Sequence, residues 1–514
     1  MAISERRIRF ADRSVRPRMM QIGILLSDHQ VPQWVSELAI ECRKAFHCEI
    51  SFIRNNGNPS PKPALPSTEK SPSGWSPAAG NSFSQTIDEI NPEKPFTFLL
   101  HLSGDRLPFA LTVPVIGVTI NDIDNHSVYF EPKNLYRTGN STFTLTLTLS
   151  NGELLNQGRF RCLPYSATKT IQLMHAQFIA LFIEGIRKYV GNGPSKANIS
   201  VPELPARTFA PITTPTILSK INHRINGLFY RYKWNIGIIP APIETVAEAH
   251  QLPPIQWMKE VSRTGFKADP FGYSHEGKTV ILYERFDEQE NKGLLEIQSE
   301  TTAQLLPEAK HHLSYPFIVE VNNERFCIPE QAAAGKLIAY KIIEGKLQYS
   351  HTLLSDFDAV DATLLQHDGK WWIFATRKQH NNADLKLYLF YSDDFHGTWT
   401  PHPHNPVKTD ICTARPAGNF FYSNGKLYRP AQDSSLGYGS GIHLMEITRL
   451  DTEGFSEHIH RRITPPIHGR QYPEGLHTIS TCGNQTLVDG KRKVFTLKPL
   501  LALFRKKGIN QDPE

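Results

Sequence analysis

Five polar residues, Asp269, Tyr315, Asp361, Arg415 and His477, stand eight to thirteen positions ahead of five dipeptides that read as tight turns: Gly277-Lys278, Asn323-Glu324, Gly369-Lys370, Gly425-Lys426 and Gly490-Lys491. Gly and Asn tolerate the positive φ that such reversals need. A second phase, seven residues past each of the first four turns, holds Glu284, Glu330, Thr376 and Gln432. A purely structural repeat would want apolar filler there. Carboxyls converging near Arg415 and Arg429 are the ingredients of glycosyl chemistry, in which one protonates a leaving oxygen and another attacks or activates a nucleophile. Unequal environments set which does which.

Asp269, Glu330 and Asp361 are therefore the candidate catalytic residues, and Tyr315, Arg415, Arg429, Gln432, Asp433 and His477 the candidate substrate contacts. Each has a plainer reading. Asp269 precedes Pro270 and could bond local amides; Asp361 could sit at a strand edge, and Glu330 could pair with a surface Lys. Arg415, Arg429 and His477 could be scaffold. Glu284 ranks last, as an exposed ion pair with Arg285.

Stepping outward, the turns recur at spacings of 46, 46, 56 and 65 residues, near the roughly 40–50 of a four-stranded propeller blade. Similar short strands follow them, such as Thr279–Tyr283 and Trp371–Ala375. In a propeller the innermost strands face the central channel, so residues of equal phase gather on the axis. An all-β five-bladed propeller is expected over residues 231–500. The Trp371-Trp372 pair would face opposite sides of its strand, placing at least one ring in a core.

Residues 19–191 mix strand-like runs (22–26, 49–54, 96–100, 113–120) with helical periods over 31–46 and 167–189, the latter capped by Ser166. That predicts a multidomain chain whose N-terminal domain is α/β and Rossmann-like. Residues 57–80, rich in Pro, Ser and Gly, read as a loop and 192–230 as a Pro-rich linker. A basic extension over 1–18 and a tail over 501–514 complete the division.

The formal charge is +6, with much of it in the six arginines of residues 1–18. The body is thus near neutral, and a nucleic-acid footprint is not expected; the basic tip leaves room for peripheral membrane contact. No window is long and apolar enough for a spanning helix. The six cysteines show neither C-x-x-C pairs nor metal-ligand spacing, which fits a reducing cytoplasm. Neither metal nor cofactor is expected.

The segments Ala268-Asp269-Pro270-Phe271, His312-Leu313-Ser314-Tyr315-Pro316-Phe317, Pro329-Glu330, Ala414-Arg415-Pro416-Ala417-Gly418 and Tyr428-Arg429-Pro430-Ala431-Gln432-Asp433 resemble the N-terminal domain of glucosamine inositolphosphorylceramide transferases and their bacterial relatives. That domain is itself similar to the five-bladed propellers of family 43 glycoside hydrolases. The resemblance covers roughly residues 230–500. It implies a first-blade Asp, matched by Asp269, a second tuning Asp, matched by Asp361, and a Glu acid. The later-blade Glu is replaced here by Arg415-Pro416-Ala417, so Glu330 is taken as its substitute. The N-terminal domain resembles formyltransferase folds, through Val115–Val118 and the segment Thr138–Ser141 leading into Thr142–Leu149.

The expected function is making or breaking a glycosidic bond, as glycosyl transfer in surface glycan or glycolipid biosynthesis, with a sugar or glycolipid as partner. The alternatives are a non-catalytic glycan-binding propeller, or a sugar N-formyltransferase with an accessory propeller.

Overall fold

The computed structural model describes residues 19–26, 33–46, 48–54, 85–86, 97–102, 114–120, 142–163, 165–192, 217–260, 265–299, 302–306, 311–378, 383–465 and 471–497. The expected 1–18 extension, 57–80 loop and 501–514 tail lie outside them, as does most of the linker. The chain divides into two units: residues 1–131, 145–156 and 171–191 form one, and residues 132–144, 157–170 and 192–514 the other.

The N-terminal strands are β1 (Met20–Leu26), β2 (Cys48–Arg54), β3 (Gln85–Thr86), β4 (Phe98–His101), β5 (Val115–Ile120), β6 (Thr142–Leu149) and β7 (Leu154–Arg161), in the sheet order β3-β2-β1-β4-β5-β6-β7. Helices span Gln33–Ala45 and Ala167–Asn192, and Ser166 Oγ accepts the Lys169 amide at 3.2 Å as the expected cap.

The expectation of a Rossmann-like or formyltransferase-like α/β domain is corrected here. Among the described residues the structure is mostly β, 57% strand against 15% helix. Among the described residues the N-terminal sheet has one β-helix-β unit, β1 to β2, and β5 then pairs antiparallel with β6. A doubly wound sheet needs a crossover helix for each parallel step. Two helical periods suggested an alternation that the described residues between them do not continue. The formyltransferase resemblance gains no support: Val115–Val118 lies in β5, while Thr138–Ser141 lie outside the described residues.

The second unit contains five four-stranded blades. Blade 1 is β10 (Gly265–His275), β11 (Lys278–Asp287), β12 (Lys292–Gln298) and β13 (Ala303–Leu305); blade 2 is β14 (Ser314–Val321), β15 (Glu324–Glu330), β16 (Lys336–Ile343) and β17 (Lys346–Ser355). Blade 3 is β18 (Ala359–His367), β19 (Lys370–Arg377), β20 (Lys386–Ser392) and β21 (Thr400–Pro401), with β22 (Lys408–Thr409) also on β20. Blade 4 is β23 (Phe421–Ser423), β24 (Lys426–Gln432), β25 (Ile442–Asp451) and β26 (Gly454–Ile463).

Blade 5 is composite. Its inner strands β27 (Ile479–Cys482) and β28 (Gln485–Phe495) are completed by β8 (Tyr230–Ile239) and β9 (Gln256–Trp257), which precede every other blade in sequence. Tyr230 to Ile239 pair antiparallel with Phe495 to Thr486. The two ends of the propeller thus share one sheet, which ties the ring shut.

Four of the five expected turns are in place, with Gly277, Asn323, Gly369 and Gly425 at φ of 76°, 61°, 73° and 74°. The fifth is misplaced: Gly490-Lys491 lies inside β28, and the reversal is at Gly483, φ 58°. Gly490 serves close packing instead, since a Cβ there would collide with the Trp257 ring and Tyr472. A glycine needed for approach thus looks in sequence like one needed for a turn. The blades bury both faces against their neighbours, so central strands read as continuous apolar runs. Trp371 and Trp372 enter separate inter-blade cores, one with Phe326, Phe395 and Trp399, the other with Phe374, Leu389 and Leu450.

Candidate active site on the propeller axis

The innermost strands of blades 1, 2 and 3 each break register at one place: between Ala268 and Phe271, Ser314 and Phe317, and Val360 and Thr363. The bulged residues Asp269, Tyr315 and Asp361 all have positive φ, at 52°, 43° and 50°. For non-glycine residues such backbone costs about 1–3 kcal/mol each, so three repeats of it at one phase mark a built feature. A bulge re-aims its side chain out of the strand's alternation. Pro270 and Pro316 fit because a bulge position forfeits its ladder bond. Arg415 and His477 are not at this phase once the fifth turn is moved, yet both reach the same axis.

Asp269 is the hub. Its Oδ2 accepts the Tyr315 amide at 3.2 Å, its Oδ1 accepts the Thr478 hydroxyl at 2.9 Å, and His477 Nε2 stands 3.1 Å from Oδ1. The Asp269 amide in turn donates to Asp489 Oδ2 at 3.2 Å. Asp489 Oδ1 accepts the amides of His477 and Thr478, both at 3.0 Å, while its Oδ2 lies 2.6 Å from His477 Nδ1. His477 is therefore clamped between two carboxylates. Burial alone would depress its basicity, but Asp489 and Asp269 push it up to about 10. Burial likewise opposes ionisation of Asp269, yet His477, Thr478 and Arg415 hold it below the usual carboxylate range. Asp269, His477 and Asp489 also bring ligand atoms within 4.8 Å of one another, a group that could hold a metal ion. Each imidazole nitrogen, however, already faces a carboxylate oxygen at ion-pairing distance.

The opposite side carries carboxyls shifted the other way. Asp361 Oδ2 accepts from Arg415 Nε and from Gln432 Nε2, both at 2.6 Å. Arg415 Nη1 also reaches Asp384 at 2.8 Å, and its guanidinium lies 5.0 Å over the Tyr438 ring. Burial raises Asp361 despite Arg415. Glu330 is raised well above the ordinary range by burial and by the charge of Asp361, to which it donates a hydrogen bond. Glu284, 3.5 Å from His312 Nε2, is also raised well, by burial and then by Asp269.

Sequence reasoning passed over Asp489, Asp384 and Thr478, and ranked Glu284 last. An Asp in the apolar run Leu487-Val488-Asp489 was the available signal for the first, because a buried carboxylate needs partners. Glu284 is buried, not an exposed ion pair.

Arg429 and Asp433 bond to other partners, and Tyr315 reaches Asp269 only through its backbone amide. Arg429 donates to Glu457 through Nε at 2.8 Å and Nη2 at 2.6 Å, and to the Thr413 carbonyl at 2.6 Å. Asp433 accepts Arg462 Nε at 2.9 Å and the Ser435 amide at 3.0 Å. Tyr315 is fully buried, its hydroxyl 2.8 Å from Thr363 Oγ1 and accepting the Gly418 amide at 2.7 Å. Tyr315→Phe should leave that amide unsatisfied and cost about 1–3 kcal/mol, with ligand affinity unchanged. Chemical denaturation beside a binding titration checks this; lost affinity at unchanged stability would make Tyr315 a substrate contact.

Five blades around a carboxyl-lined axis define the class: a propeller with a polar, acid-rich central site. Comparison with known proteins adds what part of the chain is similar to. Residues 254–487 match the family described as "Glucosamine inositolphosphorylceramide transferase 1, N-terminal". The chain is 34% identical over 151 residues to glucosamine inositolphosphorylceramide transferase 1 of Oryza sativa subsp. japonica, covering 28% of this chain and 20% of that one. It is 31% identical over 216 residues to the protein of that name from Arabidopsis thaliana, covering 38% and 27%. The chain thus spans only about a quarter of these relatives' length. Among solved structures, a thermostable family-43 glycoside hydrolase is similar at 10% identity and a TM-score of 0.32, over 42% of this chain and 84% of that one. The catalytic domain of a Coprinopsis cinerea family-62 α-L-arabinofuranosidase gives 11% and 0.35, over 45% and 93%.

Proposed function

We propose that the propeller, residues 231–500, is a glycosyl-transferring domain acting on a glycolipid headgroup. The observation that carries this reading is the pair of oppositely shifted carboxyls on one axis. Asp269 is held below the usual carboxylate range by His477, Thr478 and Arg415, and Glu330 is raised well above it by burial and then by Asp361. One is suited to stabilise an oxocarbenium-like transition state or activate a nucleophile, the other to protonate the departing oxygen. Asp361, fixed by Arg415 and Gln432, takes the Glu330 hydrogen bond and sets its direction. The half-exposed Tyr438 offers a flat face beside Arg415 for a sugar ring. The relatives' name joins an amino sugar with inositolphosphorylceramide, which supports a sphingolipid-type acceptor. A cytoplasmic setting is part of the proposal.

The test is a screen of nucleotide sugars and aryl glycosides with product detection by mass, on wild type and Glu330→Gln. A proton donor matters most for a poor leaving group, so the variant should lose about 10²-fold or more on such donors and little on activated aryl glycosides. Equal losses on both would remove Glu330 from the acid's role. A second reading, glycan binding without catalysis, is favoured by Arg415, which occupies the blade-4 position with a cation. Ligand binding with no product from any donor would select it.

A further inference from the structure

The helix Ile217–Phe229 leads directly into β8. Although amphipathic, it leaves Ile221 and Ile225, one turn apart, 46% and 44% exposed, with Arg224 also in solvent. Two apolar residues at i and i+4 on a surface helix ordinarily face a core. Beside it, Phe495 is 63% exposed and stacks on Phe229 at 6.0 Å and edge-on to Tyr230 at 5.8 Å. Tyr230, Tyr232 and Leu497 are exposed as well. Lys493 lies 4.3 Å over the Tyr230 ring and donates to Asn226 of the helix at 2.5 Å, joining helix and strands into one surface.

The charge of this surface is one-sided. Residues 217–233 and 491–497 contain seven Lys and Arg and no Asp or Glu. Glu288 answers Arg231 and Lys233, and Glu260 answers Arg492; of the other four, Arg224 and Lys493 stand beside the apolar groups. The sequence past Leu497 continues the composition, with Leu500, Leu501, Leu503 and Phe504 followed by Arg505, Lys506 and Lys507. Aliphatic and aromatic side chains bordered by basic ones are what an interfacial amphipathic helix presents to a bilayer with anionic lipid.

The surface is also continuous with the axial site. Lys491 Nζ lies 4.9 Å over Tyr232 and 5.2 Å over Trp234, and it bonds the Tyr438 carbonyl. Trp234 packs on His477 at 4.0 Å.

We infer that the face formed by Ile221, Arg224, Ile225, Tyr230, Lys493 and Phe495 docks on an anionic membrane surface and brings the propeller's site to the headgroup layer. The acceptor would then be met at the bilayer rather than extracted from it. The inference lends purpose to the proposed function, but binding is measured without turnover, so the two can fail separately.

The experiment is vesicle co-sedimentation of the full chain with phosphatidylcholine alone and with phosphatidylcholine plus phosphatidylserine. Wild type should bind the anionic vesicles, bind the neutral ones far less, and release as salt rises. The double change Ile221→Asp with Ile225→Asp should cut partitioning about tenfold or more at unaltered melting temperature. Arg224→Glu, which removes no apolar area, should weaken anionic binding alone, and it keeps the test decisive if the double variant does not fold. No binding by wild type, or equal binding by folded variants, overturns the inference. So does a concentration-dependent dimer that the Ile changes dissolve while vesicles are ignored, since the face would then cover itself.

Discussion

Asp269→Asn should lower turnover by on the order of 10³-fold while leaving ligand affinity nearly unchanged. The substitution preserves shape, and the amide oxygen can still accept the Tyr315 amide or the Thr478 hydroxyl. What it removes is the charge, and a charge held in a preorganised, buried site is worth most where positive charge develops during reaction. Single-turnover rates and a binding titration on the same preparations separate the two effects. Comparable turnover in both proteins would strip Asp269 of its role and leave Glu330, Asp361 or Glu284 to be examined. A collapse of affinity together with rate would describe a binding module.

Stability should fall as pH is raised from neutrality, and His477 should be the cause. Its value is pushed up from an ordinary 6.5 to about 10 by Asp489 and Asp269. A group raised in the folded state contributes its full stabilisation below about pH 6.5 and loses it as pH climbs through about 10. The shift corresponds to roughly 4–5 kcal/mol. Lys491 works against this trend, because burial lowers it to about 8 and a depressed lysine favours folding at higher pH. The comparison must therefore be with His477→Gln, in which the Lys491 contribution persists. Urea midpoints between pH 6 and 10 should converge for wild type and variant, with wild type ahead at the acid end. Parallel curves would mean that His477 is not held charged.

Why some of this was legible in the sequence and some was not follows from distance along the chain. A turn residue states its own backbone need, so Gly277, Asn323, Gly369 and Gly425 announce four hairpins locally. The shared phase of Asp269, Tyr315 and Asp361 is equally local, lying eight residues before each turn. Gly490 misleads because its reason is Trp257, a residue from the other end of the propeller. The roles of Arg429 and Tyr315 were hidden for the same cause. Whether a buried Arg meets Glu457 or a substrate depends on what a distant strand brings to it. In the N-terminal unit, two helical periods are real, but no local signal says that β6 will run against β5.

The composite fifth blade also has a consequence for how the protein is made. On the ribosome β8 emerges well before any blade is complete, carrying Ile236, Ile238 and Ile239 with its hydrogen-bonding edge open. Its partner β28 is among the last described segments to be synthesised. Throughout that interval β8 is a sticky strand in search of an edge, the kind of exposure that leads to misassembly and chaperone capture. Nascent chains stalled before Gln485 should be held by chaperones, whereas those that have cleared Phe495 can seal the ring and leave them.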